Sequence, residues 1–387
     1  MVMALRSKWA VGSVGMRSRA SLPRNARRAW GSASLPDFQQ YFDLGGSCGV
    51  SIPKDQVRGR SFWKYMVESL IVLKDLSKRF GKKIATNKVS MSVRRGEIFG
   101  FLGANGAGKT TTIRMLCGLT KPTSGTGSIS GLDIWKDRFR IRSLFGYVPQ
   151  KFSLYSDLTV LENLRFFGEA YGVAHSKIRD RVNKVLCDMD LEFRERERAG
   201  RLSGGYKQLL AMACALIHEP TLLFLDEPTA GLDPKHRQQI WDLLYEFSQQ
   251  GTTIFVTTHY MDEAERCTGV AFIDRGHLIA RGSPRDLKDS LSGHILELQV
   301  EPAMAAMFEF RKLEGVSGAT LRSGNLRIHA EDPNALLRSW QNHWPFPNLK
   351  FLGYSWAEPD MEDVFQAYSQ GYYRQRRGRR EPADVKA

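Results

Sequence analysis

The apolar runs SLIVL (69–73), KVSMSV (88–93) and EIFGFLG (97–103) are short and rich in strand-forming residues, and they predict three strands in quick succession. Gly and Thr then open the segment TTTIRMLCGL, in which Ile113, Leu116 and Leu119 recur at helical spacing. Strand, glycine loop and helix follow one another. Residues 151–203 carry more charge and more helix formers, as in VLENLRFFGEAYG and SKIRDRVNKVLCDMDLEF, and predict a helical insertion. From Ser203 to Gly282 the alternation returns. KQLLAMACALI predicts a helix, TLLFLDEP and TTIFVTTH predict apolar strands ending in polar residues, and VAFID with HLIARG predicts a hairpin. Alternation of this kind indicates an α/β sheet with helices packed on its faces. After Pro284 the runs HILELQV, MAAMFEFRKL, ATLRSGNLRIHA, NALLRSWQNHW and NLKFLGYSW predict strand, helix, two strands about a tight turn, helix and strand. That order fits a small α+β unit of ferredoxin-like type. The expected organisation is an extension at 1–65, a main α/β domain at 66–283, an accessory domain at 284–370 and a tail at 371–387.

Composition and charge sharpen this division. With 42% hydrophobic and 25% charged residues the chain is ordinary for a globular protein, and no stretch approaches the ~18–20 uncharged apolar residues of a membrane helix. Its five cysteines form an odd set without a CxxC pair, which argues against a disulfide framework or a zinc site and for a reducing compartment. The net charge of +15 is uneven: residues 1–65 carry +8 and residues 374–387 carry +4, leaving +3 for the body between them. The basic surplus therefore belongs to the tails, and nucleic acid is not expected as a partner of the folded body. Residues 1–36 contain no acid but seven Arg/Lys and six Ser. They read as a transit-like segment or as a disordered extension, with Met66 an alternative start. The run from Arg374 to Arg380 reads as a solvated tail or as a contact for an anionic bilayer.

Three constellations carry candidate chemistry. Gly103-Ala104-Asn105-Gly106-Ala107-Gly108-Lys109-Thr110 is a complete GxxxxGK[ST], a P-loop, between a predicted strand and a predicted helix. Its glycines let successive N–H groups and the helix N-terminus face phosphate oxygens, with Lys109 reaching the β- and γ-phosphates and Thr110 placing its hydroxyl on Mg²⁺. The strand LLFL delivers Asp226 and Glu227 to its carboxyl end, where ligands bind in open sheets. Alternation along a strand would turn these carboxylates to opposite faces, Asp226 toward the metal and Glu227 toward an attacking water. The strand TTIFVTT ends at His259, the one histidine expected within reach of a γ-phosphate.

Leu202-Ser203-Gly204-Gly205-Tyr206 resembles the LSGGQ signature of the ABC ATPases. Together with Gln150 in YVPQ, Asp233 in GLDP and His259 in TTH, it completes that family's motifs in their expected order over residues 69–283. The resemblance implies a P-loop NTPase of ABC type that binds ATP and Mg²⁺ and hydrolyses ATP. It also implies that Phe80 stacks on adenine, that Gly103, Asn105, Gly106, Gly108, Lys109, Thr110 and Thr111 bind phosphate, and that Thr110, Gln150 and Asp226 hold the metal. Ser203, Gly204 and Gly205 would complete the site of a second subunit, making a head-to-tail homodimer, and Asp233 would take part in nucleotide binding. Catalytic roles would fall to Glu227, His259 and Gln150. Tyr206 departs from the usual Gln, and Phe80 from the usual Tyr.

The stretches QKFSLYSDLTVLENLRFFGEAYG, THYMDEAERC and EPDMEDVF resemble the ATPases of ABC-2 type exporters, including drug-resistance and multidrug-efflux relatives. The implied partner is a separate ABC-2 type transmembrane permease, contacted through residues near Gln150 and 151–170. The implied location is peripheral, on the cytoplasmic face of the membrane, in preference to an organelle. An ABC ATPase acting on ribosomes or nucleic acid is the alternative. The single cassette, the lack of long coiled-coil insertions and the near-neutral body weigh against it.

Overall fold

A computed structural model describes residues 69–378 except 292, 293 and 343. The expected N-terminal extension and the end of the basic tail lie outside the described residues. The chain opens with β1 (Ser69–Phe80) and β2 (Lys83–Arg94), an antiparallel pair that joins β4 (Ser124–Ile129) and β5 (Leu132–Asp133) in a four-stranded sheet of order β2-β1-β4-β5. Between these strands come β3 (Ile98–Leu102) and α1 (Lys109–Leu116). Ile113 and Leu116 are buried on α1, whereas Leu119, expected on the same face, lies past the helix end and is exposed.

The second sheet has the order β10-β9-β3-β8-β7-β6, with β6 (Phe145–Val148), β7 (Leu222–Asp226), β8 (Thr253–Thr258), β9 (Gly269–Asp274) and β10 (His277–Gly282). All its strands run parallel except β10. The five residues of β7 are buried without interruption. A strand covered on both faces needs such a run, because each residue meets one or the other core. Phe224 of β7, Phe255 of β8 and Phe99 and Phe101 of β3 pack toward the first sheet and α1. Leu223, Leu225, Ile254 and Val256 pack the opposite way, against α2 (Val160–Ala170), α3 (His175–Asp188), α4 (Gly204–Leu216) and α5 (Pro234–Gln249). A reciprocal cap fixes the start of α2: the Thr159 hydroxyl accepts from the Glu162 N–H, and the Glu162 carboxylate accepts from the Thr159 N–H at 2.7 Å.

The third sheet is antiparallel, order β12-β13-β11-β14, built from β11 (Ile295–Glu301), β12 (Val316–Arg322), β13 (Asn325–Ala330) and β14 (Lys350–Trp356). With α6 (Ala303–Phe310) and α7 (Pro333–Asn342) it forms the ferredoxin-like βαββαβ unit around its own core of Leu296, Leu298, Phe310 and Ile328. Ser323 and Gly324, both at positive φ, close the β12–β13 hairpin in two residues.

The last helix, α8 (Met361–Gly378), departs from the expected organisation, since residues 371–378 continue it instead of beginning a tail. Its Met361 and Val364 enter the core beneath the parallel sheet, Phe365 meets the Phe272 ring at 5.4 Å, and the Ser369 hydroxyl donates to Asp274. The start of α8 is bound to the third sheet. Asp363, 1% exposed, pairs with Arg327 at 2.6 Å and lies 3.0 Å from His329 Nε2, both on β13. Burial pushes the Asp363 carboxyl up, but His329, the Asp360 N–H and Arg327 outweigh it and hold the group below the usual carboxylate range. A carboxylate held low stabilises the fold above its unfolded pKa of about 3.9, and the contribution fades as pH falls through the folded value. Asp363→Asn should therefore cost about 3 kcal/mol in urea unfolding of the full chain at pH 7, because Arg327 stays buried without its counter-charge. The difference from the unmodified protein should shrink below about pH 4.

Candidate active site

Four strands of the parallel sheet end at one edge, and each hands a polar residue to the same place. The loop from β3 to α1 brings Lys109, β6 leads to Gln150, β7 ends at Asp226 with Glu227 next, and β8 leads to His259. The P-loop backbone turns through Gly108 at φ 115°, a conformation closed to other residues, and an added Cβ there would meet the Ala85 carbonyl at 2.3 Å. Helix α1 starts immediately after this turn, so its first N–H groups have no intrahelical partner and point into the cleft as a ready anion site. The cleft, about 450 Å³, is lined by Phe80, Asn105, Gly106, Gly108, Lys109, Thr110, Thr111, Gln150 and Glu227, with Lys83 and Ala85. Phe80 stands at its rim, 53% exposed, with one ring face near Lys78.

Lys109 is 4% exposed and donates to the Gly103 carbonyl at 2.7 Å, while its ammonium pairs with Glu227 Oε1 at 3.0 Å. The other Glu227 oxygen accepts from the Gln150 amide at 2.9 Å and lies 3.2 Å from His259 Nδ1. Glu227 has left the strand. Its φ of 53° is left-handed, which costs a non-glycine residue roughly 1–3 kcal/mol, and its N–H is held by Thr257. The two carboxylates are thus separated by a turn at the strand end, where alternation along a continuing strand was expected. Asp226 accepts from the Thr257 hydroxyl at 2.8 Å and from Thr110 at 3.2 Å. Burial pushes its carboxyl up more than these hydrogen bonds pull it down.

Comparison with known proteins agrees with this architecture. Residues 86–230 match the ABC transporter family. A probable multidrug ABC transporter ATP-binding protein of Escherichia coli, YbhF, is 44% identical over 276 residues, 71% of this chain, which spans only 47% of that relative's length. The linearmycin resistance ATP-binding protein LnrL of Bacillus subtilis is 35% identical over 305 residues, 76% of this chain and 97% of its own. The chain belongs to the ATP-binding subunits of ABC transporters. Among solved structures, the dimeric ATP-binding cassette MJ0796, in a post-hydrolysis state with ADP and Pi, is 28% identical with a TM-score of 0.51, covering 55% of this chain and 98% of that one.

Within this ATP-binding subunit the signature residues stand apart from the P-loop cleft. Ser203 is the exposed N-cap of α4 and makes no side-chain cap bond, and Gly204 and Gly205 form the first turn. Asp233 caps α5, accepting from the His236 N–H at 3.1 Å. None of these four lines the cleft that holds Lys109. Thr257 escaped the sequence reading, although the threonine pair that ends the apolar run of β8 was a signal. The parallel register sets it directly beside Asp226. Among the described residues no helix is long and apolar enough to cross a membrane.

Removing the Lys109 ammonium takes away a cation paired with Glu227 and the charge that would meet phosphate. Lys109→Ala should lower affinity for an ATP analogue roughly 10–100-fold in equilibrium binding, the worth of one charge-assisted hydrogen bond.

Proposed function

We propose that this ATPase subunit powers an ABC-2 type exporter. Two copies would close head to tail over two ATP molecules, on the cytoplasmic side of a separate permease. The observation that carries this reading is the convergence of Lys109, Gln150 and His259 on one buried carboxylate at the phosphate edge of the sheet. The names of its relatives, a multidrug transporter subunit and a linearmycin resistance subunit, support export, and the dimeric cassette bound to ADP and Pi supports closure in pairs.

Each residue then takes a distinct part. Phe80 offers an aromatic face to adenine, and the P-loop amides of Gly106, Gly108, Lys109, Thr110 and Thr111 receive the phosphates. Thr110, Asp226 and Gln150 would hold a magnesium ion, which offsets charge on the β- and γ-phosphates. The contact of Thr110 with Asp226 already sets two of these oxygen donors side by side. Lys109 exchanges Glu227 for the phosphates when nucleotide enters, and the freed Glu227 carboxylate takes the proton of the attacking water. His259 stands beside Glu227 and faces the γ-phosphate. Ser203, Gly204 and Gly205, at the open N-terminus of α4, and Asp233 act on the nucleotide held by the other copy.

The permease contact falls on the helical insertion. Fully buried Asn163 bonds the Tyr155 backbone in both directions, at 3.0 Å each, and so pins the segment after Gln150. Tyr155 and Phe166, both half-exposed, pack edge to face at 4.8 Å on that surface. An exposed aromatic pair formed by the pinned loop and α2 offers an anchor for a partner helix.

Glu227→Gln separates binding from chemistry, because the amide keeps the shape but cannot take a proton. Its ATP turnover should fall about 10²–10⁴-fold while ATP binding survives. ATP with Mg²⁺ should shift this variant to a dimer in light scattering, and adding Ser203→Arg should abolish the shift. Unchanged turnover would move the role of base to another group, with His259 first.

A further inference from the structure

Tyr206, the last residue of the signature, is surrounded by a few side chains from neighbouring elements. The Tyr206 ring carries the Arg194 guanidinium over it at 4.0 Å and meets the His236 ring edge to face, at 5.5 Å and 78°. His236 is held from behind. Its Nδ1 lies 2.6 Å from the Asp233 carboxylate, the same group that caps α5 through the His236 N–H. The ring lies directly on Gly205: a Cβ built there would fall 2.2 Å from His236 Cδ2 and 2.3 Å from Cγ. One imidazole on α5 therefore touches two consecutive residues of the first turn of α4, beside the exposed Ser203.

We propose that His236 is a positioning residue for the signature loop. Its ring is a wedge between the first turns of α5 and α4 that sets the direction in which Ser203 and the open N–H groups of α4 point. The physical basis is steric and aromatic. Gly205 is buried beneath the ring, so α4 cannot roll toward α5, and the stacked Tyr206 and Arg194 oppose a roll the other way. An N-terminus that binds phosphate by several N–H groups at once loses affinity when its axis wanders, so fixing the axis favours closure without any contact between His236 and nucleotide. The proposal rests on the reading that Ser203 and Gly205 meet a nucleotide held by a second copy.

Three substitutions in the Glu227→Gln protein test it. His236→Ala removes the ring, His236→Asn keeps a polar group for Asp233 without the ring, and His236→Phe keeps a ring without the bond to Asp233. Two measurements apply: hydrogen exchange of amides 203–207 in the nucleotide-free protein, and the ATP concentration that half-dimerises it in light scattering. ATP-analogue binding to the P-loop cleft of the monomer serves as the folding control and should not change. Ala and Asn should speed exchange at 203–207 and raise the half-dimerising ATP concentration about tenfold, the worth of one well-packed aromatic contact. Phe should stay near the parent on both. Unchanged exchange in His236→Ala, or Asn behaving like the parent while Phe fails, would overturn the wedge and leave the dimer reading intact. Failure of the Glu227→Gln parent to dimerise would overturn the two-nucleotide reading and the wedge's role with it.

Discussion

A carboxylate with 6% of its side chain exposed is costly to keep ionised unless a cation and hydrogen-bond donors surround it. Glu227 meets that requirement by drawing Lys109 from the loop after β3, Gln150 from beyond β6 and His259 from beyond β8. Three separate connections are thereby tied to one point at the end of β7. The left-handed backbone at Glu227 is part of the same constraint, because it turns the carboxylate off the strand and toward the cleft, while Asp226 stays on the strand with Thr257 and Thr110.

The sheet makes this convergence possible. Parallel strands place their carboxyl ends on one edge, so residues separated by more than a hundred positions become neighbours without long loops. Both faces are sealed, one by the antiparallel sheet and α1 and the other by helices, which leaves the edge as the open side. Helix α8 extends this economy to the accessory unit. Its Asp363 pairs with Arg327 of β13, and its Met361 and Val364 are buried under the parallel sheet, so the ferredoxin-like unit is attached through core contacts and a buried ion pair.

The first turn of α5 joins the signature helix to the rest of the cassette. Asp233 serves two bonds there, one to the backbone of α5 and one to the His236 ring, and that ring occupies the space a side chain at position 205 would need. Glycine at position 205 is therefore required in this chain by a neighbouring side chain, while its own backbone is ordinary helix.

The P-loop, the carboxylate pair, the signature, the strands and helices that carry them and the βαββαβ order of the accessory unit were legible in the linear pattern, because each depends on local periodicity or on a motif read within a few residues, whereas β4, β5, β6 and α5 were not read there. Ile113 and Leu116 follow that periodicity, while Leu119 fails it, since spacing cannot say where the helix stops. What spacing could not supply was relation across the sheet. The pairing of Lys109 with Glu227, the place of Thr257 beside Asp226 and the wedge of His236 on Gly205 all join residues whose partners are chosen by strand register and helix packing. Those choices come from burying both faces of a parallel sheet at once, a condition on the whole chain that no local window contains.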